Sequence, residues 1–395
     1  MAKFEDLHLV VQDVMEQSMG KKDIAQVDLS NIASLGDYII TSGTNGTNDV
    51  IFEKLVDRIG RTVIANRLYK NKFDFLTMDP FEYGYALQKI HVNTFAAREN
   101  GKYIKGDNAT SAELTGQMQF LPTINVSLFA NSKAWEFAVT ITREQIKTAF
   151  RDEASLAAFI SAIFTAMDTS VAKSLEEVNR GVLAAYIGEL YNAQQEANTA
   201  GENKILAVNL NQAYFDETGT TLTPAQAKHD ADFERWCTSY FTDTKRMFTN
   251  LTTLRNAKGF EKYTPEDEIK FIINGKFADN IKRFMQSDVY HKELVEMPGY
   301  REVDYWQGMG NGSISDRMKI NAKLITEDAT VDLENVVGVM YDPFAIGVTL
   351  YERETVAVPL LRSHRTTYYE QCMIGNFIDL SEQGVMFYLG EVANP

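Results

Sequence analysis

The chain has 395 residues, of which 45% are hydrophobic and 24% are charged. This is the composition of an ordinary globular protein, so a disordered chain is not expected. The formal net charge at pH 7 is −15. Because an acidic surface repels phosphate, tight or sequence-specific nucleic-acid binding is not expected. The sequence contains two cysteines, Cys237 and Cys372, which form no CxxC motif, so neither a disulfide framework nor a structural zinc site is expected.

No targeting or membrane-spanning segment is predicted. The apolar stretch near the N-terminus carries acidic residues, unlike a secretory signal. The longest uncharged apolar stretch, 154–167, is shorter than the roughly 20 residues that a helix needs to cross a bilayer. We therefore expect a soluble protein with no membrane partner.

The first 48 residues are interpreted as an arm. Apolar residues at helical spacing predict a short amphipathic helix within residues 1–19. From Gly20 to Asn48 the chain is polar, and such a stretch cannot bury enough apolar surface to fold alone. We interpret it as an extended arm or linker, with a plain N-terminal tail as the alternative.

A long hairpin is predicted over residues 81–141. Apolar residues alternate around Tyr83, Tyr85 and Leu87, and the return leg is assigned to 135–141, where the same alternation occurs. The long polar segment between the legs has mixed charge, which favours a protein–protein contact through complementary charges over a nucleic-acid contact. Ordinary solvation of a loop is the alternative. The candidate contact residues are Arg98, Glu99, Lys102, Tyr103, Lys105, Asp107 and Glu113.

A long helix is predicted over residues 153–191. Its apolar residues follow one another at steps of three and four up to Tyr186, and at 1.5 Å per residue the helix would be about 55–60 Å long. Gly181 and Gly188 are positions where it could bend or end early. The pattern keeps no strict heptad, so packing on a sheet is expected rather than a coiled coil. One or two core helices of an unspecified fold are the alternative.

The second half of the chain is predicted to begin with helices and to end with strands. Thr223, Pro224 and Gln226 predict a capped helix that continues to about Arg255. A buried strand and a helix follow, and the last 60 or so residues are rich in strand patterns. Helices in the middle with strands early and late favour the α+β class over regular βαβ winding. The predicted later elements are a strand at 269–273, a helix at 277–285 and strands at 336–341, 346–351, 366–378 and 385–389.

The sequence contains no recognisable catalytic apparatus. It has no P-loop and no nucleophile elbow, and its five histidines have no metal-binding spacing. The glycine-rich segment 308–312 does not match a dinucleotide-binding motif and is interpreted as a turn. We therefore predict no catalytic residue, no cofactor and no metal site, and a protein that is not an enzyme. Because carboxylates can assemble in three dimensions without a local motif, a cytosolic enzyme with an unrecognised carboxylate site stays open as an alternative.

The order of these elements resembles the Hong Kong 97 fold of tailed-phage major capsid proteins. The parts of that fold are called the N-arm, the E-loop, the spine helix, the peripheral domain and the axial domain. The similarity covers about residues 49–180, and its closest match is to the shell proteins of small short-tailed phages with protein-primed replication. The segments that carry it are FEKLVDRIG (52–60), LPTINV (121–126), TITREQIKTAF (140–150) and FISAIFTAM (159–167), with TTYY (366–369) as a weaker match.

The resemblance implies a division of the chain into capsid domains. The implied segments are an N-terminal arm, 1–48; the first helix and strand of the peripheral domain, 49–80; the E-loop hairpin, 81–141; the short helix and spine helix of the peripheral domain, 142–195; a mainly axial domain, 196–335; and a β-rich return to the axial and peripheral domains, 336–395.

The resemblance also implies a function. Copies would form hexamers and pentamers that close an icosahedral shell around double-stranded DNA, without sequence-specific binding. The E-loop would lie across a neighbouring copy, which makes the candidate contact residues inter-subunit contacts. A scaffolding protein and a portal are the other implied partners, with assembly in the host bacterial cytoplasm and a final location in the virion capsid. Another structural phage protein, such as a portal or tail component, is an alternative, although the β-rich end argues against a portal.

Overall fold

The computed structural model describes residues 68–78, 87–92, 94–95, 124–130, 132–142, 153–288, 299–307, 317–325, 329–360 and 365–393. These residues belong to two compact units. The described residues of unit 1 fall within Met1–Glu82, Ser132–Asn179 and Val348–Gly375, and those of unit 2 within Tyr83–Asn131, Arg180–Gly347 and Asn376–Pro395.

The described part of the chain contains both helices and strands, in agreement with the predicted mixed class. The helices are α1 (Glu153–Ala200), α2 (Leu210–Thr218), α3 (Pro224–Ala227), α4 (Ala231–Phe248) and α5 (Gly275–Asp288). The strands are β1 (Thr77–Met78), β2 (Leu87–Val92), β3 (Ile124–Phe129), β4 (Ser132–Thr142), β5 (Ala207–Asn209), β6 (Lys270–Asn274), β7 (Arg301–Val303), β8 (Ile320–Lys323), β9 (Thr330–Leu333), β10 (Val336–Tyr341), β11 (Ile346–Leu360), β12 (Arg365–Ile378) and β13 (Gly384–Tyr388). None of the described helices is both long enough and apolar enough to cross a membrane.

Unit 1 is built around a four-stranded sheet in the order β1-β11-β12-β4. Strand β4 runs antiparallel to β12, from the pair Thr142 and Arg365 to the pair Ser132 and Gly375. The alternation that predicted a strand at 135–141 is present, with Trp135 more buried than its neighbours. Its assignment as the return leg of the hairpin is wrong, because β4 pairs with a strand more than 200 positions away, and local alternation carries no information about such a partner.

Helix α1 contributes residues Glu153–Asn179 to unit 1 and packs there against the segment before β1. The Asn179 amide donates to the carbonyl oxygen of Phe73 at 3.0 Å, and the Tyr69 hydroxyl donates to Glu176 at 2.6 Å. Phe73 is almost fully buried. The Asn179 amide nitrogen and the Glu176 carboxylate therefore find partners in the segment that the helix packs against.

The predicted long helix is confirmed, and it does not end at its glycines. Helix α1 continues through Gly181 and Gly188 to Ala200. At Gly188 the missing side chain has a packing reason within unit 2, since an added Cβ would lie 2.5 Å from the Cβ of Ala322 on β8. The close approach of strand β8 therefore explains why a glycine lies at this position, although glycine has a low helix propensity.

Unit 2 contains a five-stranded sheet in the order β5-β13-β10-β6-β7. The central strand β10 is antiparallel to both neighbours, and every one of its residues is buried. Helix α4 packs on this sheet through Phe241, whose ring lies 5.0 Å from that of Phe387 and 5.2 Å from that of Phe271. Each such buried side chain stabilises the fold by about 1.5–3 kcal/mol relative to exposure.

The predicted capping box is confirmed, but the helix that it opens is short. The Thr223 side chain accepts from the Gln226 amide, and α3 ends at Ala227. A new helix, α4, begins after Asp230, whose side chain accepts from the amide of Phe233, and ends at Phe248 rather than near residue 255. A second strong N-cap therefore divides the predicted helix in two.

The predicted late strands are confirmed as β10, β11, β12 and β13, with β11 longer than expected. The strand and helix predicted at 269–273 and 277–285 correspond to β6 and α5. Helix α2 and the short strands β7, β8 and β9 were not predicted. The arm at 1–48, the helix implied within 49–80, the short helix implied before the spine helix and the turn at 308–312 lie outside the described residues.

Candidate functional site

The candidate contact residues from the sequence lie outside the described residues. All of them, from Arg98 to Glu113, fall between β2 and β3. The part of the hairpin that the structure describes is the base of this segment. We call strands β2 and β3 the hairpin stem.

The hairpin stem is an antiparallel pair of strands in unit 2. Its register runs from Leu87 opposite Phe129 to Val92 opposite Ile124. The outgoing leg predicted at Leu87 is confirmed, and the return leg is β3. Among the described strands, β2 and β3 pair only with each other. The stem is therefore attached to the rest of unit 2 through side chains and not through a shared sheet.

The two faces of the stem are inverted relative to an ordinary sheet that covers a core, in which apolar side chains point inward and polar ones outward. The inner face, which packs on unit 2, carries the half-buried polar pairs Lys89 with Ser127 and His91 with Asn125, and the apolar pair Leu87 with Phe129 at one end. The side facing away from unit 2 is apolar apart from Gln88 at one end, and we call its apolar part the outer apolar face. Its members are Ile90 (63% exposed), Val92 (45%), Ile124 (55%), Val126 (55%) and Leu128 (67%).

Lys89 makes the densest set of contacts on the inner face. Its Nζ lies 2.9 Å from Oδ2 of Asp379 and 3.8 Å from Oε1 of Glu382. It also donates to the carbonyl oxygen of Phe344 and lies 5.0 Å from the ring centroid of Phe377. An ammonium group in such a position is neutralised by carboxylates and attracted by an aromatic face.

The two carboxylates that receive Lys89 are held by unit 2 itself. We call Asp379 and Glu382 the carboxylate seat. Burial by itself raises the pKa of Asp379, but hydrogen bonds from Ser381 together with the Lys89 ammonium outweigh this and leave the pKa lowered. Glu382 is also paired with Lys262 at 3.1 Å. The carboxyl group of Asp379 is therefore ionised at neutral pH.

Three further contacts hold the stem, and one of them joins the rings of Phe129 and Phe377, whose centroids are 5.8 Å apart. The His91 ring lies 4.6 Å from the ring of Phe260, and the Thr94 hydroxyl donates to Glu261. The backbone of Phe260 is fixed in turn by the Asn256 side chain, which accepts from its amide at 2.8 Å and donates to its carbonyl at 2.6 Å. A rigid loop of unit 2 therefore supports the end of β2.

The described residues offer little for catalysis. They contain no group of three or more histidine, cysteine, aspartate or glutamate side chains that could hold a metal ion. Cys237 is completely buried, and burial raises the pKa of its thiol, so it is not a nucleophile at neutral pH. Among the described residues, Glu234 has two buried carboxylate oxygens without a hydrogen-bond partner, but the residue has no exposed surface through which a substrate could reach it.

Solved phage structures have the same fold. A chain in the capsid structure of Staphylococcus phage Andhra is 8% identical, with a TM-score of 0.53, over 83% of this chain and 87% of that chain. A chain in the structure of the head fibre and inner core protein of native bacteriophage P68 is 10% identical, with a TM-score of 0.53, over 83% of this chain and 86% of that chain. At these identities the likeness concerns the fold alone, which is that of a phage capsid protein. No curated protein sequence matches the chain.

The sequence itself identifies the family. The family model described as Phi29-like phage major capsid protein matches residues 9–373. Since this is most of the chain, the protein belongs to the Phi29-like phage major capsid protein family. It is a major capsid protein, a subunit of the shell in the phage virion. The family is one of structural proteins, which favours a non-enzyme and decides against a portal or tail component.

Proposed function

We propose that copies of this subunit form hexamers and pentamers that close an icosahedral shell around double-stranded DNA, and that the hairpin stem is one of the contacts between copies. The outer apolar face supports the second part of the proposal, that the hairpin stem contacts another copy. Its five side chains are each between 45% and 67% exposed, and a contiguous apolar patch on a subunit is typical of a surface that another protein covers. In a shell subunit the covering protein is another copy.

The charge of the chain agrees with enclosing DNA without binding it tightly. A net charge of −15 opposes close contact with the phosphate backbone, so packed DNA would not adhere to the shell. Recognition between copies then depends on apolar area and on complementary charges, such as those of the candidate inter-subunit contacts from Arg98 to Glu113.

The finer parts of the proposal follow the resemblance described above. They include the division into N-arm, E-loop hairpin, spine helix, peripheral domain and axial domain, with helix α1 as the spine helix. They also include an origin in a small short-tailed phage with protein-primed replication. Assembly would take place in the host bacterial cytoplasm, with a scaffolding protein and a portal as partners.

Electron microscopy of the full chain tests the proposal, with and without a scaffolding partner. Shells or capsomers are expected, and a monodisperse monomer under both conditions would contradict shell formation. Leu128→Asp places a charge on the outer apolar face and is expected to abolish assembly while circular dichroism shows a folded subunit. Leu128→Met, which keeps an apolar side chain of similar volume, is the matched control and should assemble. If Leu128→Asp formed normal shells, the hairpin stem would not be one of the contacts between copies.

A further inference from the structure

The hairpin stem is held on its own subunit by directed polar contacts together with aromatic contacts. The centre of its inner face presents a lysine, a histidine, an asparagine and a serine, with the apolar pair Leu87 and Phe129 at one end, whereas the apolar side chains of its other residues point away. Hydrophobic burial has no preferred direction, so a stem held by it alone could settle in several orientations. An ion pair with hydrogen-bond geometry selects one.

We propose that Lys89 is the positioning residue that sets the orientation of the hairpin stem, by placing its ammonium group in the carboxylate seat of Asp379 and Glu382. Successive side chains of a strand point to opposite faces, so fixing Lys89 on the inner face fixes the direction of its neighbour Ile90 on the outer apolar face. This inference rests on the proposed role of the stem in assembly.

The seat is preorganised without help from the stem. The Asp379 carboxylate accepts from the Ser381 amide at 2.9 Å and from the Ser381 hydroxyl at 2.6 Å. The Asp379 amide donates to the carbonyl oxygen of Ala345 at 2.7 Å, and the amide of Ala345 donates to the carbonyl oxygen of Asp342 at 2.8 Å. These bonds fix the carboxylate and the turn that offers the Phe344 carbonyl, so the seat is a rigid receptor for a cation.

The seat also needs the charge that Lys89 brings. The side chain of Asp379 is only 5% exposed and that of Glu382 13% exposed, while Lys262 supplies one positive charge, to Glu382. With Lys89 the four side chains are neutral as a set, and without it a buried carboxylate has no opposite charge close by. Leaving such a charge uncompensated is unfavourable in a poorly hydrated site. A surface ion pair between mobile side chains would not have this directing effect.

Thiol labelling of the unassembled full chain measures the position of the stem directly. Ser127 lies on the inner face opposite Lys89 and is half-buried, so Ser127→Cys reports when the inner face leaves the body of unit 2. The native Cys237 and Cys372 are buried and react slowly. In the Ser127→Cys variant, Lys89→Met is expected to raise the labelling rate about tenfold. The loss of a hydrogen bond to a charged group shifts the opening equilibrium of the stem by about that factor. Lys89→Arg, which keeps the charge, should remain close to the parent.

Two further measurements separate positioning from general stability. Lys319→Met removes an exposed lysine of the same unit, paired with Glu334 at 2.8 Å, and as the matched control it should leave the labelling rate unchanged. Raising the ionic strength should speed labelling only modestly when Lys89 is present, since a largely buried ion pair is screened less than an exposed one, and should have no effect in Lys89→Met. The salt series is informative even if Lys89→Met folds poorly.

The outcomes distinguish this inference from the proposed function. An unchanged labelling rate in folded Lys89→Met overturns the positioning role, whatever shells are formed. Faster labelling together with irregular or incomplete shells supports it. Faster labelling with shells like those of the parent overturns the role of Lys89 in assembly. The proposed contact of the outer apolar face is tested separately by Leu128→Asp, in which the Lys89 anchor is intact.

Discussion

The ammonium group of Lys89 lies 2.9 Å from the carboxylate of Asp379, although 290 positions separate the two residues in the sequence. This contact joins the base of a long hairpin to the loop between β12 and β13. It is made where the side chain of Asp379 is almost completely buried, so it is stronger than a pair on the surface. Its energetic consequences can be measured.

The first prediction concerns the pH dependence of this pair. The pKa of Asp379 is lowered in the folded chain, so its contribution to stability is present above the ordinary aspartate pKa and is lost as pH falls through the folded value. Asp379→Asn is therefore expected to lower the free energy of unfolding by about 1–3 kcal/mol at pH 7. In urea denaturation this difference should shrink as the pH falls below about 4. An equal difference at both pH values would contradict the ionic nature of the contact.

The second prediction concerns an arginine that bridges two carboxylates in unit 1. Arg353 donates to Glu370, whose side chain is 3% exposed, and to Asp168. Arg353→Met leaves the buried carboxylate of Glu370 without its arginine and should destabilise the fold by about 3 kcal/mol. Arg235→Met removes an exposed partner of Asp232 and should cost about 0.5 kcal/mol or less. Thermal or chemical denaturation of both variants gives the comparison, and equal losses would show that burial of Glu370 is not the cause.

The third prediction uses two glycines of the same helix. An added Cβ at Gly181 meets nothing within 4 Å, whereas one at Gly188 would lie 2.5 Å from the Cβ of Ala322. Gly181→Ala should therefore raise the free energy of unfolding by about 0.5–1 kcal/mol through helix propensity. Gly188→Ala should lower it, because strand β8 must move. A gain in stability for both variants would mean that β8 does not pack closely on the helix.

Sequence patterns predicted the helices and strands of this chain better than they predicted which strands pair with each other. The steps of three and four in α1 and the apolar runs of β10 and β13 are local signals, and they were sufficient. The return leg was misplaced because the alternation from Trp135 to Ile141 is as regular as that of β3. Strand pairing also depends on residues far away in the sequence.

The ion pair of Lys89 with Asp379 was not predicted, and the reason is related. A period of two separates the residues of β2 into two faces, but it does not say which face points inward. Hydrophobicity suggests Ile90 and Val92 as the inner side chains, and the structure has Lys89 there. The signal that could have indicated this is the position of a lysine and a histidine opposite a serine and an asparagine. Its meaning depends on Asp379, which no local pattern connects to β2.

The fourth prediction concerns the buried carboxyl of Glu234 on α4. Burial raises its pKa to about 8, while Arg283 on α5 lowers it and Asp230 at the start of α4 raises it. A raised pKa means that the folded chain keeps a proton that the unfolded chain loses, so stability falls as the pH rises from about 4.5 to about 8. Glu234→Gln removes this dependence and should gain about 1–3 kcal/mol over the parent at pH 8 relative to pH 5. Urea denaturation at the two pH values measures it, and a constant difference would contradict the assignment.

The last prediction concerns the segment between the two strands of the stem. Deleting residues 98–118 removes the candidate inter-subunit contacts and leaves residues 93–97 and 119–123 to join β2 to β3. Because the contacts of Lys89 and His91 lie in the stem, the subunit should keep its free energy of unfolding and the low thiol reactivity of Ser127→Cys. It should fail to form shells in electron microscopy, since the proposed contact with a neighbouring copy is shortened. Leu128→Met in the full-length chain is the assembling control. Shells of normal size from the deleted chain would show that the candidate contact residues have no part in assembly, and would leave the outer apolar face as the contact surface to test among the described residues of the hairpin.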